Sequence, residues 1–456
     1  MRSAIILAAG KGTRMKSSLV KPMHKVLDKP MVEHIVDNLK KIDVDKIVTI
    51  IGYKAEDVQK HLQDKTEYAI QAEVNGTGKA VSYAQQLKDV GGYTLVINGD
   101  CPLIQPETFE MMFDEVKDCG MVVLSAILDD PKAYGRIVRD DYENFVKIVE
   151  AKDCDVDQIK IKEINTGIYA FDNKLLFEYV ELIKNDNAQK EYYITDLVDI
   201  IASHKHRVKA VAIKDPDEAM GINDRIELYQ ASKWLQRKIN YEWMRNGVSI
   251  IEPEMTFIGS DVVIGEDTII YPNTFIEGKT VIGSGNIIRT GCYFFNARIG
   301  NDNDIDNARI TDSSIGNKVR LGPWIHLRNN CIIHDGNRLG NFVEFKNTEF
   351  GGHSNCAHLT YCGDATIGKN VNIGCGMVTV NYDGVNKWHT TIEDDVFIGC
   401  NVNLIAPVTV KQKAVVAAGT TVTCDVEEGD MAIGRVRQEN KKGYGIKYMD
   451  KEKITK

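Results

Sequence analysis

Ile258, Ile264, Ile270, Ile276, Ile282 and Ile288 recur at a spacing of six. Ile315, Leu321, Leu327, Ile333, Leu339 and Phe345 repeat it, as do Ile392, Ile398, Leu404, Val410, Val416 and Val422. Glycine often follows the aliphatic residue directly, as at Gly259, Gly265, Gly283, Gly316 and Gly399. A period of six fits neither an α-helix nor an alternating hairpin sheet. It predicts short strands joined by tight corners, each sending one aliphatic plug inward. No such strand buries a face alone, so the coils must stack into a solenoid. The hexad dominates from Val248 to about Val426 and predicts a β-helix there.

The phase breaks in two places. Phe345 to Ile367 spans 22 residues, four more than three hexads, and Ile373 to Ile392 spans 19, one more. Both are expected to be loops leaving the solenoid, and loops on a rigid scaffold are where chemistry concentrates.

Residues 1–223 carry a different rhythm. Short apolar runs at 4–8, 46–51, 94–97 and 122–126 predict buried strands, with helices over 31–41, 55–62 and 79–87. That alternation predicts an α/β domain around a mainly parallel sheet. Residues 224–247 read as a linker helix, with Leu228, Leu235, Ile239 and Trp243 on one stripe and Asn246-Gly247 as its stop. The remaining 248–456 is the solenoid plus a basic tail carrying Lys441, Lys442, Lys447, Lys451, Lys453 and Lys456, expected to be solvated.

Composition narrows the class. At 456 residues, 43% hydrophobic and 27% charged, the chain reads as a multidomain globular protein. A net charge of −9 argues against a nucleic-acid binder. The apolar run at the N-terminus is too short for a signal-peptide core, and no stretch approaches the roughly 18 apolar residues of a membrane span. Ten cysteines without metal or CxxC spacing suggest free thiols in a reducing cytoplasm.

Leu7-Ala8-Ala9-Gly10-Lys11-Gly12-Thr13-Arg14-Met15 follows a strand, so its glycines let backbone N–H groups approach an oxyanion, with Lys11 and Arg14 adding charge. Met15 stands where a dinucleotide fingerprint needs its third glycine, and the G-K-[ST] that a P-loop places four residues after its first glycine is absent from this loop. The string resembles instead the nucleotide loop of sugar-phosphate nucleotidylyltransferases, a Rossmann-like fold. The resemblance continues through Lys21 (here Lys-Pro, not the usual Pro-Lys), Gln71-Ala72-Glu73, Gly76-Thr77-Gly78 and Gly99-Asp100-Cys101-Pro102-Leu103. It extends to Tyr134-Gly135-Arg136, Glu150, Asn165-Thr166-Gly167 and Gly221-Ile222-Asn223. It implies UTP and UDP-sugar contacts at Leu7, Ala8, Ala9, Gly10, Lys21, Gln71, Gly76, Thr77, Gly135, Glu150, Asn165 and Asn223. It also implies Mg²⁺ on the Asp100 carboxylate and the Asn223 amide oxygen, hard donors suited to that ion.

Around the phase breaks lie Leu327-Arg328-Asn329, Phe345-Lys346, His358-Leu359-Thr360-Tyr361, Asn372 and Lys387. With the domain order, these resemble the bifunctional N-acetylglucosamine-1-phosphate uridylyltransferase/glucosamine-1-phosphate N-acetyltransferase family over about residues 1–435. That family has a C-terminal left-handed parallel β-helix of hexapeptide repeats. The resemblance implies His358 as general base toward acetyl-CoA, and Arg328, Lys346, Tyr361, Asn372 and Lys387 around glucosamine-1-phosphate. Cys375, Asn381, Tyr382, Cys400, Ala418 and Arg435 fall at acetyl-CoA-contacting places, with Cys400 where serine is usual. N-acetylglucosamine-1-phosphate and UTP would then react in the N-terminal half, and trimers would build acetyl-transfer sites between subunits. His326, His334 and His353 lack such company, and no three-histidine zinc site is expected. Two alternatives stay open: a monofunctional nucleotidylyltransferase with a regulatory β-helix, and a β-helix scaffold carrying an inactive nucleotide fold.

Overall fold

A computed structural model of the chain describes residues 1–73, 75–187 and 190–449, without the side chains of 447 and 448. Lys451, Lys453 and Lys456 of the expected tail, and the Lys447 side chain, lie outside the described residues. The chain divides into two compact units, Met1–Lys238 and Ile239–Lys456, and the division falls within the helix Arg225–Arg245.

The first unit is a twisted sheet whose strands run, in spatial order, Val208–Ala212, Met121–Ile127, Glu163–Asp172, Tyr93–Asn98, Arg2–Leu7, Lys46–Ile51 and Glu67–Ile70. Along this path all neighbours are parallel except Glu163–Asp172, which is antiparallel to the strands on both its sides; off it, Arg136–Arg139 pairs antiparallel with Glu163–Asp172 and with Phe145–Val149. Side chains alternate across the sheet. Ala4 and Ile6 pack with Val32, Ile35, Leu39 and Phe113 on one face, while Ile5 packs with Val81, Leu87 and Leu197 on the other. Helices on both faces explain the unbroken apolar runs. The helix expected over 79–87 is instead Thr77–Ser82 and a separate short turn, Gln85–Leu87. Ser82 Oγ donates back to Lys79 O at 2.9 Å, and Ala84 leaves helical geometry with ψ 49°. The apolar period therefore continues while the hydrogen-bond ladder is cut.

The second unit is a left-handed β-helix of stacked parallel coils. Hexad residues stack in register, Ile270 on Ile288 and Ile276 on Phe294, and all four are fully buried. The first phase break is not a loop. Phe345, Phe350, Cys356, Cys362 and Ile367 are all at most 1% exposed, so the plugs continue through it. Two sides are simply one residue shorter, where Asn347 (φ 48°) and Asp364 (φ 50°) turn the chain in the left-handed region. The second break is a true excursion: Tyr382 and Lys387 form an isolated antiparallel bridge, and Trp388 N–H returns to Asn381 O at 2.8 Å.

One corner of the solenoid is stacked with unusual regularity. In successive coils it reads Asn341-Phe342, His358-Leu359, Cys375-Gly376, Cys400-Asn401 and Ala418-Gly419, and the second residue of every pair has positive φ. Corner N–H groups donate to the coil before: Gly376 to His358 O (3.3 Å), Asn401 to Cys375 O (2.7 Å) and Gly419 to Cys400 O (2.8 Å).

Because Phe350 plugs a shortened coil, Phe350→Ala is expected to cost about 3–5 kcal/mol. Phe397→Ala, at a 49% exposed position, should stay within about 0.5 kcal/mol. Urea titration of the solenoid's transition measures both. Similar costs for the two would contradict the inward assignment of Phe350.

Candidate active sites

In the first unit, the candidate residues gather at the carboxyl ends of the strands. The sheet order changes direction between Arg2–Leu7 and its neighbours, the place where open α/β sheets bind ligands. Gly99 N–H donates to Leu7 O at 2.9 Å and Ala8 N–H to Ile50 O at 2.9 Å, anchoring the start of the loop. A side chain at Gly10 would meet no atom within 4 Å, whereas one at Gly12 (φ 63°) would come within 2.5 Å of Lys21 Cβ. Gly12 thus lets the loop close over Lys21.

The Lys21 ammonium bonds to Asp100 Oδ2 and lies 2.9 Å from Asn223 Oδ1. Arg14 Nη2 donates to the same Asn223 oxygen at 2.8 Å. Two residues far apart in sequence therefore aim oxygens at one cation. A second group surrounds Gly135: Asn165 N–H donates to Gly135 O at 2.8 Å, and a Cβ on Gly135 would lie 3.5 Å from Glu150 Oε1. Asn165 Nδ2 reaches the Tyr169 hydroxyl at 2.9 Å. Burial by neighbouring groups, then the Asp153 and Asp196 carboxylates, push the Glu150 carboxyl above its usual range. Gln71 donates from its backbone to Ile51 O at 2.8 Å and from its side chain to Glu73 O at 2.9 Å. A Cβ on Gly76 (φ 125°) would collide with the Tyr192 backbone, and Thr77 Oγ1 accepts from Ile194 N–H at 3.1 Å.

In the solenoid, Arg328 and Lys346 are register partners on adjacent coils. Arg328 grips Glu344 Oε1 from Nε (2.9 Å) and Nη2 (2.7 Å). Lys346 reaches Asp364 Oδ2 at 3.1 Å. The Lys346 ammonium beside it holds Lys387 below the usual lysine range. Two ammoniums side by side, with Tyr361 and Arg328 in range, form a seat for an anion. His358 sits at the regular corner with φ 75°, in the same column as Cys375, Cys400 and Ala418. Arg435 donates to Ala418 O. Asn381 is buried, while Tyr382 is 57% exposed on the excursion. Asn372 stands apart. Its strand Asn372–Ile373 belongs to a different face from Arg328, Lys346 and Tyr361, and it pairs with Asn355 and Phe397.

The sequence matches the Nucleotidyl transferase family over residues 3–236. A bifunctional protein GlmU of Exiguobacterium sibiricum is 49% identical over 97% of this chain and 99% of its own. The corresponding protein of Listeria welshimeri is 48% identical over 97% of this chain and 98% of its own. The chain belongs to the GlmU family. As a member it is a bifunctional transferase of UDP-N-acetylglucosamine synthesis, acetylating glucosamine-1-phosphate and then transferring uridylyl from UTP. Acetyl-CoA and UTP are its co-substrates and Mg²⁺ its metal.

The residues present suit Mg²⁺: a carboxylate and an amide oxygen already converge on a single positive charge at Lys21 Nζ. Mg²⁺ is commonly held through one or two protein oxygens, with phosphates and water completing its shell.

Sequence reasoning missed the residues that hold these candidate groups in place. Glu227 Oε2 accepts from Asn223 N–H at 2.6 Å. Asp364 accepts from Lys346 (3.1 Å), Asn347 Nδ2 (2.8 Å) and Asn381 Nδ2 (2.5 Å), joining a candidate acceptor lysine to a candidate acetyl-CoA contact. Its one sequence signal is a charged residue following Gly363 inside a strand-like run, easily read as an exposed turn.

Burial acts against ionisation at Asp364, yet hydrogen bonds from Asn347, Lys346 and Asn381 hold its carboxyl below the usual range. Such a carboxylate adds stability that is complete above about pH 4 and is lost as pH falls through its lowered pKa. Asp364→Asn is expected to cost about 1.5–3 kcal/mol at neutral pH and to flatten the solenoid's acid-side loss. Thermal unfolding across pH checks this. An unchanged profile would show that the carboxylate carries no such stability.

Proposed function

We propose that the Lys21–Asp100–Asn223 cluster performs uridylyl transfer and that the His358 corner performs acetyl transfer. The observation carrying the first assignment is the convergence of Asp100 and Asn223 oxygens on one cation. Backbone N–H groups of Leu7 to Gly10, with Arg14, bind the triphosphate, and Lys21 moves its charge from the two oxygens to the phosphates. Gln71, Gly76 and Thr77 hold the uracil. Glu150 and Asn165, near Gly135, orient the sugar so that its phosphate oxygen attacks the α-phosphorus in line and pyrophosphate leaves. Held by Asp100 and Asn223, Mg²⁺ supplies charge neutralisation for the reacting phosphates.

In the solenoid, Lys346, Lys387 and Arg328 bind the phosphate of glucosamine-1-phosphate, and Tyr361 orients the ring. His358 takes the proton from the amine as it attacks the thioester carbonyl, and the thiolate of CoA departs. Cys375, Asn381, Tyr382, Cys400, Ala418 and Arg435 hold acetyl-CoA along the corner. Asn372 lies on another face, so its share in this site belongs to a neighbouring copy. That supports a homotrimer with each acetyl-transfer site shared between subunits. So does the apolar surface of Trp324 and Phe342, stacked at 5.0 Å, with Leu359, each more than half exposed. All three have positive φ, which costs a bulky residue about 1–2 kcal/mol. They flank a groove of about 660 Å³ that also takes in Tyr361 and Glu344. Among the described residues no helix is long and apolar enough to cross a membrane. Ten unpaired cysteines support a reducing cytoplasmic setting.

Single substitutions should separate the activities. Asp100→Ala is expected to abolish pyrophosphate release and leave CoA release near wild type. His358→Ala should lower acetyl transfer by about 10²–10⁴-fold with uridylyl transfer intact. Acetyl transfer within about threefold of wild type would remove His358 as general base.

A chain beginning near residue 227 is expected to fold, sediment as a trimer and keep acetyl transfer, whereas Trp324→Asp with Phe342→Asp should sediment as a monomer. A trimeric double variant would exclude that surface from the assembly.

A further inference from the structure

Cys375 and Cys400 occupy equivalent places in adjacent coils. Ile373 pairs with Ile398 in parallel register, and each cysteine lies two residues further on. Both precede a left-handed residue, Gly376 (φ 76°) and Asn401 (φ 54°), so the chain turns at the same place in the two coils. Asn401 N–H donates to Cys375 O at 2.7 Å. A Cβ on Gly374 would lie 2.7 Å from Cys400 N, so the coils touch here. In-register residues on neighbouring strands sit about 4.8 Å apart, inside the roughly 4.4–6.8 Å between Cα atoms that a disulfide spans, and a small tilt of the two corners toward each other brings the Cβ atoms within its roughly 3.5–4.5 Å.

Among the other thiols of the solenoid, Cys424 is exposed but follows Val422, at a different corner, and the rest are buried. Cys292, Cys331, Cys356 and Cys362 are inward plugs; burial pushes Cys292 up to about 12 and Cys362 well above the usual range. Cys400 is exposed and Cys375 half-buried, which leaves both sulfurs within reach of a solution disulfide.

We propose that Cys375 and Cys400 form a reversible thiol–disulfide site that takes disulfides of coenzyme A, the thiol that acetyl transfer itself releases. The choice of coenzyme A rests on reading this corner as the acetyl-CoA groove; the pairing of the two cysteines does not. The Cys400 thiolate attacks one sulfur of CoA disulfide, forming a Cys400–CoA mixed disulfide and releasing one CoA thiolate. The Cys375 thiolate then attacks the Cys400 sulfur and expels the second. The two protons given up by the cysteines pass through solvent to the departing CoA thiolates. Two cysteines are oxidised, and one CoA disulfide is reduced to two CoA thiols. The resulting bridge removes both thiols from the groove and fastens its two coils together, so acetyl transfer stops while the first unit is untouched.

The test treats the full chain with CoA disulfide, traps remaining thiols with iodoacetamide and maps peptides by mass spectrometry without reduction. A Cys375–Cys400 linked peptide is expected, with loss of acetyl transfer, unchanged uridylyl transfer and recovery of both thiols and activity in dithiothreitol. Cys375→Ser should instead accumulate CoA on Cys400, and Cys400→Ser should give neither product. Absence of the linked peptide from wild type, with Cys400 still shielded from iodoacetamide by acetyl-CoA, would overturn the pairing and leave the groove standing. A linked peptide forming equally fast with cystamine and CoA disulfide, and unslowed by acetyl-CoA, would keep the pair but overturn the choice of coenzyme A and the groove with it.

Discussion

The stacking of one solenoid corner is the constraint on which the acetyl-transfer site proposed for the C-terminal unit depends. Each coil donates a backbone N–H to the corner before it, so His358, Cys375, Cys400 and Ala418 are held in one column about 4.8 Å apart per coil. A flexible loop carrying these residues would have to order them on binding. The stacked corner has ordered them already, and buried plugs such as Phe345 and Phe350 fix it from inside. Positional precision of this kind is what a base needs to take the proton from an amine as it attacks a bound thioester.

The first unit reaches a similar end by different means. Its sheet delivers the loop after Leu7 and the strand end at Asp100 side by side, and Glu227 fixes the backbone of Asn223 from the first turn of its helix. Both proposed sites hold their charges in ion pairs. Lys21 covers the two oxygens assigned to the metal, and Asp364 holds one of two adjacent lysines. In each, a phosphate bound as proposed would exchange one counter-charge for another instead of meeting a bare charge.

The six-residue period was legible in the chain because a solenoid plug is local: every buried side chain sits at a fixed distance from the last. The same pattern misled at 345–367, where Asn347 and Asp364 shorten two sides without opening a loop. Periodicity counts residues and cannot distinguish a missing residue at two corners from an insertion at one. Local motifs singled out Lys21 and Asp100, which the fold brings into contact. Asp364 and Glu227 were not legible, since each acts through partners that only the fold brings near. Asn372 matched a motif as well as Tyr361 did, yet the turn between faces separates them, which sequence spacing does not reveal.

The most direct test is to locate bound substrates crystallographically, in full-length protein grown with CoA and glucosamine-1-phosphate. The CoA thiol should lie beside His358, with its pantetheine arm passing Cys375 and Cys400 toward Arg435, and the sugar phosphate within hydrogen-bond distance of Lys346 and Lys387. CoA bound away from this corner, or a sugar phosphate out of reach of both lysines, would contradict the account.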